Sequence, residues 1–267
     1  MSQSIIVTPG TKVKLKDYDP NYTGEYKQRK DAEKILVDIK NQMTTLQELL
    51  YAESKQSFLI ILQAMDTAGK DGTIRNVMGG FDPQGCDVES FKVPTPEELS
   101  HDFLWRAHKV VPGKGKIGIF NRSYYEDVLV VRVHNLVPKE VWSKRYEQIN
   151  YFEKCLIDNG TLVMKFYLHI SKDEQKKRLE QRLEDPTKKW KFSEADLKER
   201  EYWGDYMDAY DDVLTKCSTE HAPWYIIPAN RKWYRNLIVG EIIVNALKGL
   251  DMKFPEPKID FSKIKIV

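Results

Sequence analysis

The chain has 267 residues, 41% of them hydrophobic and 31% charged, with a net charge of +2 from 42 basic and 40 acidic side chains. That length suits one large α/β domain or two small ones, and no apolar run approaches the ~20 residues needed to cross a bilayer. The near-balance of charge excludes the global basicity of a nucleic-acid binder, so any polyanion site must come from local placement of charge.

The opening twenty residues lack a basic region followed by a long apolar stretch, so no export signal is expected and a cytoplasmic location is. Neither a membrane nor a nucleic acid is an expected partner. Cys86, Cys155 and Cys217 are far apart, without the spacing of a zinc site, and are expected to be buried thiols. Ala32, Leu36, Ile39, Met43, Leu46 and Leu50 recur at spacings of three and four, which predicts an amphipathic helix over about 26 to 53. Its stripe is expected to pack against its own domain or a sister subunit.

Next comes the apolar run SFLIILQA, residues 57–64, a buried strand by its composition. It runs into a loop and a helix that opens at KDGTIRNVMGGF, residues 70–81. Further strand-like runs lie at 87–93, 115–121, 161–170 and 223–229, separated by helical patterns at 96–111, 139–160 and 230–250. Five strands alternating with helices predict a three-layer α/β/α architecture around a parallel sheet, with ligands beyond the carboxyl ends of the strands.

The first such end holds AMDTAGKDGT, which departs from the G-x-x-x-x-G-K-[ST] phosphate loop at both ends. Ala64 replaces the first glycine and Asp71 replaces the hydroxyl residue. Gly69 and Gly72 allow close backbone approach, Lys70 supplies a point charge, and the following helix aims its amides at the same spot. The backbone from Thr67 and Ala68 onward completes the candidate phosphate site. Without a hydroxyl after Lys70, a Mg²⁺ ion needs other oxygens, and Asp66 is the candidate ligand. Asp71 either joins the site or caps the helix.

The segment IFNRSYYEDV ends the third strand in Asn121 and Arg122, with Glu126 and Asp127 about one turn later. In phosphotransferases of this architecture a carboxylate stands at such a strand end. Asn121 is neutral, so the acid function passes to Glu126 or Asp127, unless both only cap a helix start. Between residues 176 and 191 there are seven basic residues against three acidic, with Pro186 breaking the helix that carries Lys177, Arg178 and Arg182. Such a run is either a solvated face or a basic lid that closes over phosphates.

Taken together, LQAMDTAGKDGTIRNV, FKVPTPEELSHDFLWR, IFNRSYYEDVLVVRV, LHISKDEQKKRL and PWYIIPANRKWYRN closely resemble the family-2 polyphosphate kinases, from about residue 10 onward. The resemblance implies a thymidylate-kinase-like P-loop kinase fold with a lid, reversible phosphoryl transfer between inorganic polyphosphate and a nucleotide, Mg²⁺ with Mn²⁺ as an alternative, and a homo-oligomer, dimer or tetramer. Asp66, Gly69 and Lys70 match its phosphate loop, Arg122 its second motif, and Arg178 and Arg182 its lid. Asn121 departs from members that carry Asp, and NRSYYEDV resembles the subgroup that accepts both AMP and ADP. That makes Glu126 the candidate discriminator of acceptors and Asp127 its neighbour in metal or acceptor binding. Lys70, Arg75, Arg122, Arg132, Arg178 and Arg182 are the candidates for the basic channel.

The expected organisation is one domain over 1–267, with a helical extension over about 1–55 and a lid over about 172–200. The expected substrates are polyphosphate with AMP, ADP and ATP; guanine nucleotides stay open. Two other readings remain at this point: a nucleotide kinase using ATP as donor, and a non-catalytic polyanion-binding module.

Overall fold

In the computed structural model, which describes residues 5–257 together with 259 and 264, five parallel strands form one sheet. They are β1 Ser57–Ala64, β2 Cys86–Ser90, β3 Ile117–Asn121, β4 Thr161–His169 and β5 Trp224–Pro228, in the order β2-β3-β1-β4-β5. The helices are α1 Arg29–Glu53, α2 Lys70–Asn76, α3 Pro96–Leu99, α4 Trp105–His108, α5 Val130–Val133, α6 Lys139–Asp158, α7 Lys172–Glu184, α8 Glu194–Glu201, α9 Trp203–Lys216 and α10 Lys232–Lys248. The expected α/β/α layering is present.

Every residue of β1 is buried, as a central parallel strand covered on both faces requires. Phe58, Ile60 and Leu62 point into one core with α1 and α10, while Leu59 and Ile61 point into the other with α6 and α9. The α1 stripe therefore packs inside the chain: Ala32, Ile39, Met43 and Leu50 are buried in the first of these cores. β1 pairs with β3 from Phe58↔Ile117 to Leu62↔Asn121, which sets the carboxyl ends of the two strands side by side. That register brings the phosphate loop and the Asn121–Arg122 corner together.

Two local expectations need correction. The 96–111 pattern is not one helix. A capping box between Thr95 and Glu98 starts α3, and Asp102 accepts from the Leu104 amide just ahead of α4, so two short turns replace it. Of the three thiols only Cys217 is buried; Cys86 is half-buried and Cys155 is exposed. Helix α9 follows α8 almost at once, outside the helical patterns read from the sequence, and carries Tyr210, Val213 and Leu214 into the core.

Within the core, Lys165 is fully buried in β4 and paired with Glu153 of α6 at 2.6 Å. The same carboxylate accepts from the Tyr124 and Tyr125 hydroxyls at 2.9 and 2.7 Å. This network anchors the turn that carries Glu126 into the site. Among the described residues, no helix is long and apolar enough to cross a membrane.

Candidate active site

Beyond the carboxyl ends of β1 and β3 lies a cleft of about 510 Å³. Asp66, Thr67, Gly69, Lys70, Asp71, Gly72 and Arg75 line it from the loop and α2, and Asn121 and Arg122 from the end of β3. Arg178 and Arg182 of α7 and Lys232 and Arg235 of α10 complete its basic wall.

The loop is held in conformations that side chains rarely adopt: Thr67 has φ +64°, Gly69 φ +110° and Arg122, on the facing corner, φ +62°. Non-glycine residues at positive φ cost free energy and concentrate at functional sites. Gly69 is the N-cap of α2, with no side-chain cap, so the first amides of the helix open toward the cleft. The Thr67 hydroxyl is buried without a protein partner among the described residues, an exception to the usual pairing of buried polar groups. Lys70 is buried; its ammonium donates to the Ala64 carbonyl at 3.2 Å. Burial, then the charge of Arg122, pushes its pKa down, against the pull of Asp66 and Glu126.

Asp66 is paired with Arg122 at 2.8 Å, and Arg122 also lies 3.8 Å from Glu126. Burial opposes the Arg122 charge, but Glu126 and Asp66 more than offset it and its pKa is raised. Asp71 sits in the first turn of α2 and accepts from the Asn121 amide at 3.0 Å, so its carboxylate links loop to strand end instead of capping from the N-cap position.

A second cavity, about 660 Å³, opens on the other side of Asp66 and Arg122, which line both. Glu126 lies here, accepting from the Gln63 amide at 3.1 Å. Val93 and Leu136 add apolar surface, and His134, Glu199 and Tyr206 form a polar cluster with Tyr206 donating to Glu199 at 2.8 Å. A third cavity of about 950 Å³ shares Asn76, Gln181, Lys232 and Asn236 with the basic cleft and adds Lys27, Lys177 and Arg231.

Two candidates lie apart from these cavities. Asp127 is buried and held by Arg106 at 3.4 Å and Arg145 at 3.2 Å; burial raises its pKa while both guanidinium groups pull it back. Arg132 donates to Asp212 at 2.7 Å and to the Tyr146 hydroxyl at 3.2 Å, bracing α5 against α9 and α6. Arg178 is in the cleft wall, but buried and not solvated: it donates to the carbonyls of Thr67, Ala68, Ala229 and Asn230 and pairs with Glu174. Arg182 is paired with Asp196 of α8 at 3.2 Å. Arg235 and Lys232, both in the segment that carries the family resemblance, are cleft residues that loop-centred reading does not single out.

Residues 26–255 match the family model described as Polyphosphate kinase 2. The chain is 52% identical over 261 residues to the AMP/ADP-polyphosphate phosphotransferase of Meiothermus ruber, covering 97% of this chain and 98% of that one. It is 47% identical to the ADP-polyphosphate phosphotransferase of Rhodopseudomonas palustris, over 94% of this chain and 91% of that one. Among solved structures, it superposes on the crystal structure of Polyphosphate Kinase 2 from Arthrobacter aurescens TC1 with a TM-score of 0.93 at 47% identity, covering 96% and 92% of the two chains.

Proposed function

The chain belongs to the polyphosphate kinase 2 family, and from that premise we propose that it transfers the terminal phosphoryl group of inorganic polyphosphate to AMP and ADP, reversibly. The observation that carries this reading is the pair of cavities meeting at Asp66 and Arg122. One is lined by cations suited to a chain of phosphates; the other has the mixed polar and apolar lining of a nucleotide site. The basic cleft continues into the third cavity, which gives the rest of a long donor a path past Lys177 and Arg231.

In this reading the donor terminus lies over the loop, against Lys70 and Arg122, and the acceptor phosphate enters from the Glu126 side. Phosphoryl transfer asks mainly for alignment and charge stabilisation. Lys70, freed from strong hydration by burial, stabilises the transferring oxygens; Arg122 spans donor and acceptor. Arg178 acts on the loop itself, holding the Thr67 and Ala68 carbonyls away from the phosphates.

A divalent cation, Mg²⁺ in our reading, supplies Lewis-acid neutralisation of the phosphate oxygens when bound. Asp66 and Glu126 would hold it. Among the described residues no group of three or more His, Cys, Asp or Glu forms a metal cage. A donor set of one or two carboxylates fits Mg²⁺, which takes its remaining ligands from water and phosphate. Asp127, occupied by two arginines, is the weaker ligand candidate.

The reading also takes residues 172–200 as a lid, the whole chain as one catalytic unit, the location as cytoplasmic and the assembly as a homo-oligomer. The test is a comparison of initial rates with AMP as acceptor and either polyphosphate or ATP as donor. Rapid turnover with polyphosphate is expected. Turnover with ATP alone would replace the reading by that of a nucleotide kinase.

A further inference from the structure

Arg235 is the most deeply buried cation of the cleft. Like Lys232 it comes from α10, remote in sequence from loop and lid, but it is only 2% exposed. Its guanidinium passes against the phosphate loop: a Cβ added at Gly69 would lie 1.9 Å from Nη1, and one added at Gly72 would lie 3.2 Å from Nη2. The close approach that these glycines permit is, in the folded chain, an approach by this arginine.

Its hydrogen bonds can be counted. Nη1 donates to the Ala68 carbonyl at 3.1 Å, while Nε and Nη2 donate to Asn236 Oδ1 at 3.1 and 2.8 Å. A guanidinium has five N–H groups, so one on each terminal nitrogen is left without a protein acceptor among the described residues, and the side chain lines the cleft.

All three bonds go to neutral oxygens. Among the described residues no carboxylate pairs with Arg235, and its charged neighbour is another cation: Arg178 donates to the same Ala68 carbonyl at 2.8 Å. Burial, then the charge of Arg178, pulls the Arg235 pKa down to about 9. A buried charge without a counter-ion is costly. Such a charge is retained where the counter-ion arrives with a ligand.

We propose that Arg235 is a phosphate-binding residue of the donor side, whose two unspent N–H groups take oxygens of inorganic polyphosphate and whose missing counter-ion is that polyanion. Gly69 and Gly72 are glycine, on this account, to admit the guanidinium as well as the phosphate. The inference rests on the polyphosphate-donor reading. No bond to Arg235 forms or breaks; it binds and orients, as a fixed fork of donors does.

The test is calorimetric binding of inorganic tripolyphosphate to the wild type, Arg235→Met and Arg235→Lys, with AMP binding on the same samples as the check of folding. Methionine keeps length without charge; lysine keeps charge without the fork. The expected result is a Kd for tripolyphosphate raised about thirtyfold or more in the methionine variant, partly recovered in the lysine variant, with AMP binding unchanged in both. Wild-type affinity in the methionine variant would overturn the proposal. So would equal weakness of the two variants, because a mere brace for the loop needs the fork and not the charge. A wild-type protein that binds AMP but not tripolyphosphate would overturn the donor reading itself, and the inference with it.

Discussion

Asp66 Oδ1 accepts from Arg122 Nη2 at 2.8 Å, and this pair is the wall shared by the cation-lined cleft and the cavity that holds Glu126. Arg122 reaches Asp66 from a left-handed backbone, φ +62°, a conformation that costs free energy in a non-glycine residue and must be held by its surroundings. The pair is where the two substrates meet in our account.

Asp66→Asn removes the carboxylate proposed to hold the divalent cation while keeping its shape. The metal concentration for half-maximal activity should rise about tenfold or more, read by titrating Mg²⁺ at saturating substrates. An unchanged metal requirement would move the metal site elsewhere.

Lys70→Ala should lower kcat by two to three orders of magnitude, on the order of 3–4 kcal/mol of transition-state stabilisation. The KM for AMP should change little, because Lys70 lines the basic cleft, the donor side in our account, and not the second cavity. Near wild-type turnover would remove Lys70 from the chemistry.

Glu126→Ala should harm AMP more than ADP, with the ratio of the two kcat/KM values shifting about tenfold. Glu126 lies in the second cavity, bonded by Gln63 and near Arg122, where an acceptor phosphate would be read. Equal losses with both acceptors would show that it does not discriminate.

His169 supplies a pH-dependent contribution to stability. It is 4% exposed, its Nε2 is 3.1 Å from the Tyr18 carbonyl, and burial lowers its pKa to about 4, with the Tyr18 bond pulling the other way. The unfolded chain titrates near 6.5. Below that value the unfolded chain takes up a proton that the folded chain refuses, so this stabilisation is complete above about pH 6.5 and declines down to about pH 4. Urea unfolding at pH 7.5 and 5.0 should differ by about 2 kcal/mol from this group, and His169→Gln should flatten the difference. An unflattened profile would assign the loss to other groups.

The layering, the five strands and the phosphate loop are legible in the sequence because they rest on local signals: a short apolar run, then glycine, lysine and a helix. Gly69, Lys70, Asp66 and Arg122 fall together because β1 and β3 are register neighbours, a consequence of strand order. Side-chain partnership across the chain is not local. Arg132 has the look of a channel cation, yet Tyr146 and Asp212 take its guanidinium, and the latter lies 80 residues away. Asp127 reads like Glu126 until Arg106 and Arg145 converge on it. Arg235 stands 167 residues from the carbonyl it binds, inside a helix pattern that otherwise means core.

The most direct measurement is chromatographic: purified protein, Mg²⁺ and polyphosphate with AMP in one tube and ADP in another, and no ATP added. The account predicts ADP and then ATP in the first tube and ATP in the second. No nucleotide product in either tube, from protein that turns over AMP when ATP is supplied as donor, would contradict it.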